Sequence, residues 1–212
     1  MTFKEPPNNC SICNRLTLFR LQNLEEYPTF FNAPVPSFGS LNSKLLIVGL
    51  APGLKGANRT GKPFTGDYAG NILYETLIKY KLASGAYSPE KNNKLQLNNC
   101  RITNSVKCLP PQNKPIAEEI NNCRKYLINE INYMSNLKII LTLGTVAHKS
   151  TISALNIKQK EFLFKHGKFH QFRSGLIIAN SYHCSKYNTS TKRLTKDMFE
   201  KVIEKISIFL KM

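Results

Sequence analysis

Residues 45–53 have the sequence LLIVGLAPG, an apolar run that ends in a segment rich in glycine and proline. Four consecutive aliphatic side chains predict a strand that is buried on both faces, because a half-exposed strand would alternate apolar and polar residues. The glycine and proline residues that follow predict a loop directly after the strand. This stretch therefore indicates a sheet that is covered by helices on both sides.

Apolar runs of the same kind recur along the chain, and helical patterns lie between them. Further strands are predicted over residues 101–106, 137–143 and 176–179. Apolar residues at helical spacing predict helices over residues 69–82 and 116–134, after Gly144, and over residues 191–210.

The alternation of strands and helices predicts the architecture. We expect an α/β fold, a three-layer α/β/α arrangement with a mainly parallel central sheet, formed by residues 1–212 as a single domain. Ligand sites in such sheets lie beyond the carboxyl ends of the strands. The loops that follow Val48, Thr103 and Asn180 are therefore the expected position of a functional site.

The charge of the chain is strongly positive, with 30 Lys and Arg residues against 13 Asp and Glu residues and a formal charge of +17. A folded protein of this charge attracts polyanions, of which nucleic acid is the commonest, although a merely basic protein is an alternative. No apolar run approaches the roughly 20 residues that cross a bilayer. The polar start MTFKEP does not resemble a secretory signal. We expect a cytoplasmic monomer with no membrane association.

Four of the six cysteines could meet in one site: Cys10, Cys13, Cys108 and Cys123. In a reducing compartment such thiols are more often metal ligands or free than disulfide-bonded. The first two form a Cys-x-x-Cys pair, whereas fourteen residues separate the other two, which is wide for a zinc ribbon and compatible with a 4Fe-4S cluster. Cluster, zinc and unligated thiols all stay open, and Cys100 and Cys184 are expected to be free.

The loop from residue 49 to residue 70 contains six glycines, which indicates unusual backbone conformations or close approach to a ligand. Its Gly-Lys pair is followed by proline instead of Ser or Thr, so no nucleotide cofactor is expected. Phe64 could stack on a nucleobase or fill the core. Asp67, just before a predicted helix, could act in acid-base chemistry or as the helix N-cap. Arg59 and Lys62 could contact phosphates or solvent.

Three motifs of the chain resemble the signature regions of one enzyme family: residues 49–67 (with GLAP, NRTG and FTGD), 103–108 (TNSVKC) and 181–195 (SYHCS, NT and RLT). They are similar to those of the family 5 (type b) uracil-DNA glycosylases, within the uracil-DNA glycosylase superfamily, and they follow predicted strands in the same order. The four cysteines match the ligands of that family's 4Fe-4S cluster. The resemblance spans about residues 10–195.

This resemblance implies a DNA glycosylase that hydrolyses the N-glycosidic bond of uracil in base excision repair, with other deaminated bases such as hypoxanthine as further candidates. It implies that Phe64 stacks on the flipped base, that Asn104 binds the edge of the base, and that His183 donates to its carbonyl oxygen. Asp67 would orient or deprotonate the attacking water. Residues expected to contact DNA are Arg59, Lys186, Asn188 and Arg193. From the residues alone, Asn104 also fits a turn residue and His183 a surface-loop histidine.

Two positions depart from common superfamily patterns. Cys184 stands where proline commonly follows the histidine, and Leu50 stands where some relatives of other families have a carboxylate or amide, which leaves Asp67 as the acid-base candidate. The alternatives are a family 4 uracil-DNA glycosylase and a non-catalytic iron-sulfur or zinc module that binds nucleic acid. Leu50 and residues 58–61 favour family 5, and polar residues in three strand-end loops favour an enzyme.

Overall fold

A computed structural model describes residues 3–88, 95–172 and 175–211. Its strands are β1 (Leu45–Gly49), β2 (Ala83–Ser84), β3 (Gln96–Leu97), β4 (Cys100–Asn104), β5 (Ile139–Leu143), β6 (Phe169–Gln171) and β7 (Ile177–Ser181). Its helices are α1 (Asn14–Glu26), α2 (Ala57–Thr60), α3 (Tyr68–Lys79), α4 (Ala117–Tyr133), α5 (Thr145–Ala154), α6 (Lys186–Ser190) and α7 (Lys196–Lys211), with a short 3-10 turn over Pro111–Asn113.

The central sheet has five strands in the order β4-β1-β5-β7-β6. Strands β4, β1, β5 and β7 run parallel to one another, and only β6 at the edge is antiparallel. β2 and β3 form a separate antiparallel pair. This mixed but mainly parallel sheet, with helices packed against it, confirms the predicted α/β fold.

Strand β1 divides the core into two layers, as a doubly buried strand must. Leu45 and Ile47 pack into the larger apolar cluster, which includes residues of α3 and α7. Leu46 and Val48 pack into a second cluster with residues of α4 and α5. Because successive side chains of a strand point to opposite faces, this five-residue segment holds both helical layers to the sheet.

Several boundaries differ from the sequence pattern. α3 ends at Lys79, three residues before the predicted end, and Lys81 adopts a left-handed backbone conformation with φ of 61°. The predicted final helix over residues 191–210 begins only at Lys196, after the separate short helix α6. α1 is not predicted from the sequence, because its leucines do not form a buried stripe, and Leu18 and Leu21 are half exposed.

A buried ionic network joins α4 to β4 and to the start of the chain. Arg101 Nε lies 2.5 Å from Glu130 Oε1, and Lys107 Nζ lies 3.6 Å from Glu130 Oε2. Glu5 approaches the same two cations, at 3.2 Å from Arg101 and 3.4 Å from Lys107. Burial alone would raise the pKa of Glu130, but Lys107 and Arg101 hold it below the usual value. Glu130 is therefore a charged carboxylate that compensates the positive charges of two buried side chains.

Among the described residues, no helix is both long and apolar enough to cross a bilayer.

We expect Glu130→Ala to lower the free energy of unfolding by about 3–5 kcal/mol, because it leaves two buried cations without their carboxylate. Urea denaturation followed by circular dichroism measures this loss. The matched control is Glu118→Ala, which removes an exposed carboxylate from the first turn of the same helix and should change stability by less than about 0.5 kcal/mol. Equal effects of the two substitutions would contradict a structural role for the network.

Candidate active site

The candidate site lies where the parallel strands end. Gly49 at the end of β1 pairs with Asn104 at the end of β4, and β5 and β7 end beside them at Leu143 and Ser181. The loops that carry Phe64, Asp67 and His183 leave from the same edge of the sheet. The predicted position of the site at the carboxyl ends of the strands therefore agrees with the topology.

Phe64 and Asn104 meet over the α-carbon of Gly49. A Cβ atom added to Gly49 would lie 2.6 Å from Phe64 Cζ and would also collide with Asn104 Oδ1. Only glycine allows this approach, which explains one glycine of the loop. Phe64 is buried in the larger core cluster and has a φ of 55°, a left-handed conformation that costs a bulky residue energy. The core-filling interpretation of Phe64 is therefore correct, and the ring also borders the candidate site.

The side-chain oxygen of Asn104 is buried and has no hydrogen-bond partner among the residues that the structure describes. Most buried polar atoms in native proteins are paired, and an unpaired acceptor costs about 1–3 kcal/mol. Asn104 is only 3% exposed, so the oxygen gains little compensation from water. Such an atom is suited to accept a hydrogen bond from a ligand.

His183 lies next to Phe64 and borders an open cleft. The two rings have centroids 5.7 Å apart and an interplanar angle of 29°. The cleft has a volume of about 210 Å³, and Leu50, Asn188 and Arg193 also line it. Burial lowers the pKa of His183 to about 4, so the imidazole is neutral at pH 7. A neutral imidazole can donate a hydrogen bond through one ring nitrogen.

Asp67 is the N-cap of α3, since its Oδ1 accepts a hydrogen bond from the backbone N–H of Ala69 at 3.1 Å. The N-cap interpretation is therefore correct. Its second oxygen faces the glycine-rich loop, where a Cβ atom on Gly53 would lie 3.3 Å away. Burial raises the pKa of Asp67, and the backbone N–H groups of Gly70 and Ala69 partly oppose this. The structure therefore places a half-buried carboxylate with a raised pKa near the carboxyl ends of the parallel strands.

Cys184, the residue after His183, feels the charge of Asp67. Cys184 is fully buried, and burial raises the pKa of its thiol to about 12, with a further contribution from the charge of Asp67. Phe64, Asn104 and His183 thus form one group of neighbours, and Asp67 stands beside them within electrostatic range of Cys184.

The four residues expected to contact DNA have different surroundings. Arg59 braces the loop, because its guanidinium donates to the backbone oxygens of Lys55 at 2.9 Å and Gly66 at 3.4 Å. Asn188 Nδ2 donates to the backbone oxygen of His183 at 2.8 Å. Arg193 stacks on Tyr182 at 4.8 Å, and Lys186 is exposed at the start of α6. Two of the four therefore support the site loops directly.

Sequence reasoning missed two tyrosines. The hydroxyl of Tyr87 lies 3.4 Å from the backbone oxygen of Phe64 and 3.5 Å from that of Asp67, so it ties down the glycine-rich loop. Tyr187 is 70% exposed on α6 and directly precedes Asn188, which lines the cleft. The signal for Tyr187 was available, because a single aromatic residue in a polar loop is the same pattern that draws attention to Phe64.

Cys10, Cys13, Cys108 and Cys123 line one cavity near the N-terminus, and all are free of disulfides. No group of three or more His, Cys, Asp or Glu that could hold a metal ion is found in the described ranges. In their chemistry, four cysteine thiolates fit the donor set of a 4Fe-4S cluster, in which each thiolate binds a different iron.

Hydrogen-bond donors also point at these sulfurs. The backbone N–H of Lys107 lies 3.4 Å from Cys123 Sγ, Asn122 Nδ2 lies 3.7 Å from Cys13 Sγ, and Arg20 Nη1 lies 4.0 Å from Cys108 Sγ. Such donors stabilise thiolates, and hydrogen bonds to thiolate ligands also influence the reduction potential of a bound iron-sulfur cluster.

Comparison with known families identifies the superfamily of this chain. A family model described as the uracil DNA glycosylase superfamily matches residues 36–207. The chain belongs to this superfamily. Its three matching motifs all lie at the strand ends that hold Phe64, Asn104 and His183.

Individual relatives refine the assignment within the superfamily. A type-5 uracil-DNA glycosylase of Thermus thermophilus is 34% identical over 201 residues, which cover 92% of this chain and 90% of the relative. One from Pyrobaculum aerophilum is 34% identical over 93% of this chain and 87% of the relative. A type-4 uracil-DNA glycosylase of Sulfurisphaera tokodaii is 30% identical over 80% of this chain and 73% of the relative. The predicted resemblance to family 5 is confirmed.

The protonation state of His183 can be measured directly. We expect its ring to titrate with a pKa near 4 in NMR spectra of the folded protein, because burial disfavours the imidazolium. Comparison with His183→Gln assigns the resonance. Because the folded pKa lies below the unfolded value of about 6.5, this group favours folding above pH 6.5 and loses that contribution as the pH falls to about 4. A titration midpoint near 6.5 would contradict the described burial.

Proposed function

We propose that this protein is a uracil-DNA glycosylase, a hydrolase that removes uracil from DNA in base excision repair. The convergence of Phe64, Asn104 and His183 at neighbouring strand ends carries the proposal. The names of the type-5 relatives and the charge of +17, which favours binding to a polyanion, support it. A module that only binds nucleic acid would not need an unpaired amide oxygen, a neutral histidine and a basic carboxylate at one edge.

Recognition begins with extrusion of the base, since no side chain reaches the glycosidic bond inside a duplex. The exposed base would stack on Phe64, and the unpaired Asn104 oxygen would accept the N3–H of uracil. Cytosine carries an acceptor at the equivalent position, so it would leave Asn104 unpaired and face another lone pair. This difference gives a physical reason for preferring uracil over cytosine.

Bond cleavage moves negative charge onto the base and positive charge onto the sugar. His183 in its neutral form would donate a hydrogen bond to the uracil carbonyl oxygen where the negative charge collects. Asp67 would orient the attacking water, accept its proton and stabilise the cationic sugar. Its raised pKa makes the carboxylate a stronger base than an exposed aspartate.

The DNA strand would cross the segment from Ser185 to Arg193. Lys186 and Arg193 supply positive charge there, and Asn188 holds the loop against His183. Arg59 would contact a phosphate from the opposite side of the site. Tyr187, whose ring is exposed, would enter the minor groove and fill the gap that the extruded base leaves.

The proposal extends to the substrate range and to the organisation of the protein. Hypoxanthine and other deaminated bases are proposed as additional substrates, and residues 1–212 are proposed to act as one domain. A monomer in the cytoplasm, with no nucleotide cofactor, stays a prediction.

The decisive experiment is excision from a duplex oligonucleotide with a single uracil opposite guanine, detected by alkaline cleavage of the abasic product. We expect Asp67→Asn and His183→Ala each to lower the single-turnover rate about 100-fold or more, because both groups act in the transition state. Asn retains the N-cap oxygen of α3, so Asp67→Asn separates catalysis from helix capping. Lys205→Gln on α7 is the control and should retain full activity.

The possible outcomes separate the function from the residue roles. A wild-type protein that leaves uracil in place would contradict the function. Active wild-type protein with unchanged Asp67→Asn and His183→Ala rates would contradict only the assigned roles. Parallel duplexes with hypoxanthine or with thymine opposite guanine define the substrate range.

We also propose that Cys10, Cys13, Cys108 and Cys123 hold a 4Fe-4S cluster. When bound, it would join the N-terminal segment to the start of α4 by iron-thiolate bonds, and it would supply a structural link with no redox step in base excision. Cys108 lies four residues after Asn104, so this link would also steady the loop that follows β4.

Iron and sulfide analysis of the purified protein tests the cluster. We expect about four iron atoms per chain in the wild type, with clear loss of iron and a lower melting temperature in Cys13→Ala. Cys100→Ala, which removes a buried cysteine from β4 on the opposite layer, should retain the iron. Zinc in place of iron, or equal iron in both variants, would contradict the proposal.

A further inference from the structure

A short turn beside β7 supports the strand end that carries His183. The backbone N–H of Gly167 donates to the carbonyl oxygen of Asn180 at 2.8 Å, and the N–H of Asn180 donates to the oxygen of Lys168 at 3.0 Å. These two bonds fix the turn against the strand. His166 lies within this turn and faces the segment that leaves β7.

His166 contacts Tyr182, the residue directly before His183, in two ways. Its Nδ1 accepts the backbone N–H of Tyr182 at 3.1 Å. Its ring stacks on the Tyr182 ring with centroids 5.0 Å apart and planes 10° apart. The guanidinium of Arg193 lies over the same tyrosine ring at 4.8 Å. Tyr182 is therefore held by both its backbone and its side chain.

The acceptor role requires a neutral imidazole with its proton on the other ring nitrogen. Burial lowers the pKa of His166, and a hydrogen bond to the backbone of Met198 partly opposes this. Met198 belongs to the first turn of α7. His166 thus connects the segment before His183 to α7 and has the protonation state that the contact with Tyr182 needs.

We propose that His166 is a positioning residue of the site: its Nδ1 fixes the backbone of Tyr182, and its ring together with Arg193 fixes the Tyr182 side chain, so that His183 keeps the direction needed to meet the base. This inference rests on the proposed glycosylase function. In this role His166 does not contact the substrate. It acts through the segment before His183, where its Nδ1 also lies 3.5 Å from Ser181 Oγ.

Two substitutions separate the hydrogen bond from the stacking. His166→Asn keeps an acceptor oxygen close to the position of Nδ1 but loses the ring. His166→Phe keeps a flat ring but has no acceptor. We expect His166→Phe to lower kcat for uracil excision about 10-fold with little change in KM, because loss of this partly buried hydrogen bond misplaces a group that acts in the transition state. His166→Asn should stay within about threefold of the wild type.

The controls address folding and charge. Lys165→Gln, on the same turn and exposed, should leave kcat unchanged. Melting temperatures identify any variant that fails to fold, and His166→Ala then replaces His166→Phe as the variant without an acceptor. Hydrogen exchange of the Tyr182 amide reports the contact independently of catalysis, and we expect fast exchange in His166→Phe and slow exchange in His166→Asn.

Each outcome has a defined meaning. Equal kcat in His166→Phe and wild type would overturn the positioning role. A larger loss in His166→Asn than in His166→Phe would overturn the leading part given to the hydrogen bond. Slow exchange of the Tyr182 amide in His166→Phe would overturn the hydrogen bond itself. Absence of excision by the wild type would instead refute the proposed function, and the exchange measurement would still test the contact.

Discussion

The parallel pairing of β1 with β4 and β5 determines where every candidate site residue lies. β1 is buried on both faces and carries both helical layers, so its neighbours are fixed by packing as well as by hydrogen bonds. The register sets Gly49 opposite Asn104. Because Gly49 has no side chain, the Asn104 amide and the Phe64 ring can meet above it. A one-residue shift in this register would separate these groups, and it would move the side chains of the shifted strand to the opposite face of the sheet.

The candidate site combines ionisable groups whose pKa values are shifted by burial with a hydrogen-bond acceptor that is unpaired. Burial keeps His183 neutral, raises the pKa of Asp67 and leaves the Asn104 oxygen unpaired. The raised pKa of Asp67 and the unpaired oxygen of Asn104 cost folding free energy. In the proposed function, all three conditions would prepare a group for an interaction with a bound base. The apolar side chains buried between the sheet and its helices provide the stability that offsets these costs.

The central part of the fold could be predicted because the buried strands are continuous apolar runs, and such runs have few alternatives. The site followed from motifs at strand ends, since the topology of a parallel sheet brings strand ends together. Glu130 could not be predicted as a buried residue, because its burial depends on cations that are distant in sequence, Arg101 and Lys107. His166 was missed for the same reason: its contact with Tyr182 depends on the antiparallel edge strand β6, whose three residues are too few to give a pattern.

Asp67 caps α3, and in the proposed mechanism the same carboxylate would also activate water. A change from aspartate to asparagine would preserve the cap while removing that carboxylate. If the proposed role holds, a gene duplicate with this single change would encode a folded protein that binds the damaged base without excising it. A repair enzyme and a damage sensor would then differ by one codon position in this fold.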